Sequence, residues 1–152
     1  MDDAIITTDV LIVGSGPAAC SAGLILKRAG YCVTLIDRAT QGGRPQFGEC
    51  LPASGIAALR ELGMEKKFYS DKHLSMQSYR VKWGDQEPYD KHLLSSAAGP
   101  GWLLNRERFD NMFLTALSEL GACILWHTSL AKIHANKNAP RPWKAEVKRN
   151  GV

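Results

Sequence analysis

An α/β fold built on a parallel sheet is predicted by three features of the first forty residues. They are a short apolar segment, a glycine-rich turn that runs straight into a helical stretch, and a second apolar segment ending in an acid. Thr8-Asp9-Val10-Leu11-Ile12-Val13 is β-rich and apolar on both faces, as a central strand of a parallel sheet is. Gly14-Ser15-Gly16-Pro17-Ala18-Ala19 follows at once. A helix from about Ala18 to Ala29 then closes at Gly30, a residue suited to the position just past a helix end. Tyr31-Cys32-Val33-Thr34-Leu35-Ile36 supplies the second strand and ends in Asp37-Arg38, so residues 8–37 form a complete β-α-β unit.

The glycine spacing has a physical purpose. Gly14 lets the chain turn sharply out of the strand, and Gly16 lets the backbone approach a pyrophosphate closely. Ala19 stands where a third glycine often stands and is small enough for helix–strand packing; Gly23, one turn later, keeps that packing close. Pro17 suits the first helical turn because an N–H there would go unpaired. The free N–H groups of the helix start, with the positive end of its dipole, receive phosphate. Asp37 follows Gly14 by 23 positions, where a carboxylate can accept hydrogen bonds from both ribose hydroxyls and repel a 2′-phosphate. Strand, turn, helix, strand and acid in register predict a Rossmann-like dinucleotide site, with Gly14, Gly16, Pro17, Ala18, Ala19 and Asp37 as cofactor-binding residues. This unit alone does not separate FAD from NAD.

The later segments bear on that choice. After Asp37-Arg38 comes a loop, Gly42-Gly43-Arg44-Pro45-Gln46-Phe47, then Gly48-Glu49-Cys50-Leu51-Pro52 and a short helix from Ser54 to Leu62 stopped by Gly63, so that residues 41–63 are a loop and a helix. An NAD dehydrogenase runs instead from its second strand into a crossover helix and a third parallel strand. Residues 73–104 read as a β insertion with a hairpin turn at Trp83-Gly84-Asp85. Asn105 can cap a helix from Arg106 to Leu120, stopped by Gly121, and Ala122 to Trp126 reads as the next buried parallel strand, completing residues 105–127. Residues 128–152 read as part of a β-hairpin, with a strand from Trp143 to Val147 and a turn at Asn150-Gly151.

This layout resembles the flavoprotein monooxygenases typified by p-hydroxybenzoate hydroxylase. Gly48-Glu49-Cys50-Leu51-Pro52 resembles the GE-x-LP segment of the branch holding tryptophan halogenases. The stretch from Trp83-Gly84 through Gly99-Pro100-Gly101-Trp102 to Arg106-Glu107-Arg108-Phe109-Asp110 resembles flavoproteins that install quinone cofactors in lysine-oxidase-type and glycine-oxidase-type quinoproteins. The resemblance implies FAD as cofactor, an oxidoreductase or monooxygenase activity, and a small-molecule or protein side-chain substrate, with a quinoprotein as partner. It places Gly14, Gly16 and Ala19 on the pyrophosphate, Asp37 on the adenosine ribose and Arg38 beside the adenine. Arg44 and Arg106 then lie along the diphosphate and ribityl part, where guanidinium donors neutralise phosphate with directed hydrogen bonds. A cation in the first turn of a helix is poorly placed against the dipole, so Arg106 calls for an anionic partner. Glu49 is either a structural acid at a helix start or a flavin neighbour.

Composition excludes other classes. The apolar fraction of 45% and charged fraction of 22% are those of a globular chain, and a net charge of +4 without a basic run argues against nucleic-acid binding. The weak cluster from Lys132 to Lys148 reads as a solvated polar loop. The four cysteines and four histidines have no metal-ligand spacing, so the thiols read as reduced and structural, and His73 and His92 as structural too. Phe109, Phe113 and Leu117 recur at helical spacing and belong to the core, while Trp83 and Trp102 are assigned to packing. No export signal or membrane-length apolar run is present, which implies a cytoplasmic protein without a membrane partner. No nucleophile triad or acid pair marks a catalytic residue.

Residues 1–152 are read as one FAD-binding domain that is C-terminally truncated, since the later strand and the second FAD motif of the resembled family are missing. An open sheet edge and marginal stability are expected of such a piece. Further readings are an inactive nucleotide-binding remnant, a halogenase and an NAD-dependent dehydrogenase.

Overall fold

The backbone changes direction at the predicted turn glycines Gly14, Gly30, Gly63, Gly84 and Gly121, and the elements between them follow in order. The structure, a computed structural model, describes residues 5–40, 49–93, 99–135, 138 and 143–149. Strand β1 (Val10–Val13) leads into helix α1 (Pro17–Arg28) and strand β2 (Val33–Ile36). Then come β3 (Glu49–Leu51), α2 (Ala53–Glu61), α3 (Glu65–Ser70), β4 (Leu74–Met76), β5 (Ser78–Val81), β6 (Tyr89–His92) and β7 (Gly101–Leu104). Helix α4 (Arg106–Glu119) and strands β8 (Cys123–Leu125), β9 (Thr128–Ala135) and β10 (Trp143–Arg149) complete the chain. Arg44 with its loop, and the Asn150-Gly151 turn, lie outside the described residues. The chain divides into two compact units, Met1–Pro45 with Phe113–Val152, and Gln46–Met112, the division falling within α4.

In the first unit β1, β2 and β8 form a parallel sheet in that order, which makes the fold α/β. Sequence placed the first strand centrally, but β2 takes the middle and is buried along its whole length. Strand β1 is an edge of the described sheet, half-buried, with Val13 59% exposed. Strand β8 is likewise at an edge and less buried than expected. An edge strand has a neighbour on one side only, so an apolar sequence there does not bring full burial. The core comprises Cys20 and Leu24 of α1, Val33, Leu35 and Ile36 of β2, and Phe113, Leu114, Ala116 and Leu117 of α4. Gly23 packs closely, as expected: a Cβ there would lie 3.0 Å from Leu117 Cδ1 and 3.6 Å from Leu35 Cδ1.

Strands β9 and β10 pair antiparallel in the same unit, with a register step that leaves Ala131 without an opposite number. The hairpin expected over residues 128–152 is thus present, and Lys132, Lys144 and Lys148, taken as a polar-loop cluster, stand on its strands. The extra residue breaks the period-two pattern by which a strand is recognised. The thiols of Cys32, Cys50 and Cys123 are at the surface, so only Cys20 is buried as a structural cysteine would be. Its thiol hydrogen bonds to the Ser15 carbonyl at 3.4 Å.

The second unit is built around aromatic rings. β3 and β4 flank β7 antiparallel, and β5 pairs with β6. Leu51 folds over α2 at Gly55, where a Cβ would lie 2.4 Å from Leu51 Cδ1; the Leu-Pro of the GE-x-LP segment thus closes β3 onto the helix. Phe68 is fully buried, with its ring centroid 4.6 Å from that of His73, 5.5 Å from Trp102 and 6.1 Å from Phe109. Asn105 caps α4 as expected, Oδ1 accepting the Arg108 N–H at 3.0 Å. Trp102 packs in this cluster, but Trp83 does not pack: it is 79% exposed, because the β5–β6 hairpin carries it at a turn where neither face is covered.

Candidate functional site

Parallel pairing in register puts the ends of β1 and β2 side by side, and the predicted turn and acid meet there. Val13 lies opposite Ile36, and the Gly14 N–H donates to the Ile36 carbonyl at 2.8 Å. Gly14 has φ +107°, a conformation that disfavours any residue with a Cβ, and no described residue comes within 4 Å of where a Cβ would lie. The chain then enters α1 with Gly16 as the N-cap and Pro17 in the first turn. Among the described residues no side chain caps the helix, and its first turn holds no acid. The N–H groups of Gly16, Ala18 and Ala19 have no acceptor among the described residues, while the Cys20 N–H already bonds to the Gly16 carbonyl. Amides aimed outward at the positive end of a twelve-residue helix, over open space, are the donor set an anionic phosphate requires.

Asp37 is 3% exposed at the end of the central strand. Its Oδ2 accepts the Ser15 hydroxyl at 2.6 Å and its Oδ1 accepts the Ala39 N–H at 2.9 Å. Its backbone is fixed as well: the Asp37 N–H donates to the Leu125 carbonyl at 3.0 Å, and the Thr128 N–H donates to the Asp37 carbonyl at 2.8 Å. Arg38, the next residue, is exposed. The structure thus brings Gly14, Gly16, Pro17, Ala18, Ala19 and Asp37 together, and adds Ser15, to which the spacing argument assigned no role. A polar residue between two glycines that need only smallness was the available signal.

Arg106 belongs to the other unit, where it opens α4 with its side chain 17% exposed. Its Nη2 donates to Asp110 at 3.1 and 3.2 Å, and Nη1 forms an ion pair with Glu49. The anion that its place in the first helical turn calls for is therefore supplied within the unit. Glu49 is on strand β3, not at a helix start, and takes the role of an arginine partner.

His73 is structural, as expected, and 7% exposed. Nδ1 accepts the Asn105 N–H at 3.1 Å, so the proton of the neutral ring sits on Nε2. That Nε2 has no hydrogen-bond partner among the described residues. Burial lowers its pKa below the ordinary 6.5, Asp71 opposing that shift and Arg108 adding to it. The unfolded chain then binds the proton more readily than the folded one, so stability is complete above pH 6.5 and declines as pH falls through the lower folded value. Urea midpoints are expected to fall between pH 7.5 and 5.5, and His73→Gln is expected to flatten that fall. An unchanged pH profile in the variant would assign the acid sensitivity to another group.

Among the described residues no cluster of His, Cys, Asp or Glu can hold a metal, and no helix is long and apolar enough to cross a membrane. The sequence matches a family model described as an FAD binding domain over residues 7–151. A flavin-dependent halogenase of Armillaria mellea, armH2, is 28% identical over 152 residues, 95% of this chain and 29% of its own length. The chain thus spans less than a third of that curated relative. Among solved structures, the flavin-dependent halogenase CmlS superposes with TM-score 0.72 at 22% identity, covering 96% of this chain and 28% of that one. PqsL of Pseudomonas aeruginosa, a probable FAD-dependent monooxygenase, superposes with TM-score 0.73 at 19% identity, covering 92% of this chain and 38% of that one. At these identities the structural likenesses establish the fold.

Proposed function

The chain belongs to the FAD binding domain family, and from that premise we propose that it holds FAD at the β1–α1 turn as the nucleotide-binding part of a monooxygenase-like oxidoreductase. The observation that carries this reading is the uncapped start of α1, its outward amides over open space at Gly14 beside the buried Asp37. Gly14, Gly16 and Ala19 line the pyrophosphate with Pro17 and Ala18 beside them in the binding turn, Asp37 holds the adenosine ribose, and Arg38 lies beside the adenine. Arg44, outside the described residues, and Arg106, whose guanidinium Glu49 and Asp110 hold, enter the proposal through the family resemblance alone.

FAD, when bound, would supply the redox chemistry. The chain's own residues bind and orient: backbone amides neutralise phosphate, and the carboxylate reads the ribose. The finer reading rests on the stretch from Trp83 to Asp110: the whole enzyme acts on a protein side chain, as quinoprotein-maturing flavoproteins do. A halogenase role is the competing reading, favoured by similarity to armH2 along 95% of this chain.

Titration of the chain with FAD and, separately, NAD tests the cofactor. FAD is expected to bind more tightly, with flavin fluorescence quenched and its visible bands shifted. Tighter NAD binding, or no FAD binding, overturns the proposal.

A further inference from the structure

Ser15 stands between Gly14 and Gly16, where phosphate binding by the backbone demands only a small residue. Yet Ser15 is 9% exposed, and its Oγ donates to Asp37 Oδ2 at 2.6 Å across 22 positions of sequence. An O–H···O bond of that length to a carboxylate is at the short, charge-assisted end of the range. The other carboxylate oxygen takes the Ala39 N–H, and β8 with the start of β9 ties down the main chain on both sides. The side chain of Asp37 therefore has a set direction, and the Ser15 hydroxyl helps to set it from within the glycine turn itself. Removing that donor takes a hydrogen bond from a buried carboxylate oxygen and loosens the hold on its direction.

Resting on the reading that the adenosine half of FAD docks here, we infer that Ser15 is a positioning residue: it clamps Asp37 so that the site distinguishes a ribose with its 2′-hydroxyl from one without. A site arranged to hydrogen bond a hydroxyl discriminates against the ligand lacking it, because its own polar group is left unmatched. The discrimination depends on where the carboxylate points, and the Ser15 hydroxyl connects that direction to the phosphate-binding turn.

Isothermal titration of the full chain with ADP and with 2′-deoxy-ADP tests this. The wild type is expected to favour ADP by about tenfold. Ser15→Ala brings the ratio close to one, and Ser15→Thr, which keeps the hydroxyl, restores it. Ser15→Cys, a weaker donor of similar size, gives an intermediate ratio and serves if the alanine variant does not fold. A merely structural serine lowers affinity for both ligands alike; an unchanged ratio in Ser15→Ala and Ser15→Cys overturns the inference and leaves FAD binding standing. So does a wild type that binds FAD but treats the two diphosphates equally. A wild type that binds neither ADP nor FAD removes the underlying cofactor reading, and this inference with it.

Discussion

Replacing Gly14 with valine is expected to lower FAD affinity by about 100-fold or more, equivalent to roughly 2.7 kcal/mol. Two causes act together. A β-branched residue at φ +107° carries about 1–3 kcal/mol of backbone strain. Its side chain also enters the open space over the turn, where the pyrophosphate must approach the amides of Gly16, Ala18 and Ala19. Gly30→Val separates the two: Gly30 has φ +89° and equally open surroundings, but it closes α1 at the far end. Both variants should lose thermal stability, and only the Gly14 variant should lose FAD, as read by flavin fluorescence titration. Equal affinities in the two would mean that the dinucleotide does not sit at this turn.

Phe68→Ala is expected to destabilise the unit Gln46–Met112 by about 3–5 kcal/mol, a large share of the stability of any domain of this size. The ring is fully buried and touches Tyr69, His73, Trp102 and Phe109, with centroids 4.6–6.1 Å away. Truncation removes the hub of that set and leaves a cavity with the contacts of its lining lost. It also frees the imidazole of His73, whose Nδ1 holds the Asn105 N–H at the start of α4. The near-ultraviolet circular dichroism of the aromatic cluster should collapse, with the urea midpoint falling. A midpoint within about 1 kcal/mol of wild type would show that the ring is replaceable by its neighbours.

The β-α-β opening was legible because every signal in it is local. Gly14 and Gly30 and a proline in the first helical turn act over a few residues, as the cap at Asn105 does later in the chain, and the structure places these where spacing put them. Helix α3 was missed because it spans only Glu65–Ser70, too short to display a helical period, although Met64 and Phe68 point its buried face inward. Arg106 shows the opposite difficulty. Its need for an anion was readable from its place against the helix dipole, but the identity of that anion was not. Glu49 reaches it from a strand far earlier in the chain, and nothing local announces that meeting.

Residue order alone settles the α/β class, the sharp exit from β1 at Gly14 and the acid that closes β2, because backbone sterics and turn chemistry act between near neighbours. Folding in three dimensions assigns the middle of the sheet to β2, supplies the carboxylates around Arg106 and joins Ser15 to Asp37. These are contacts between segments distant in the chain, and their partners are chosen by register, burial and packing, which no short stretch of sequence contains.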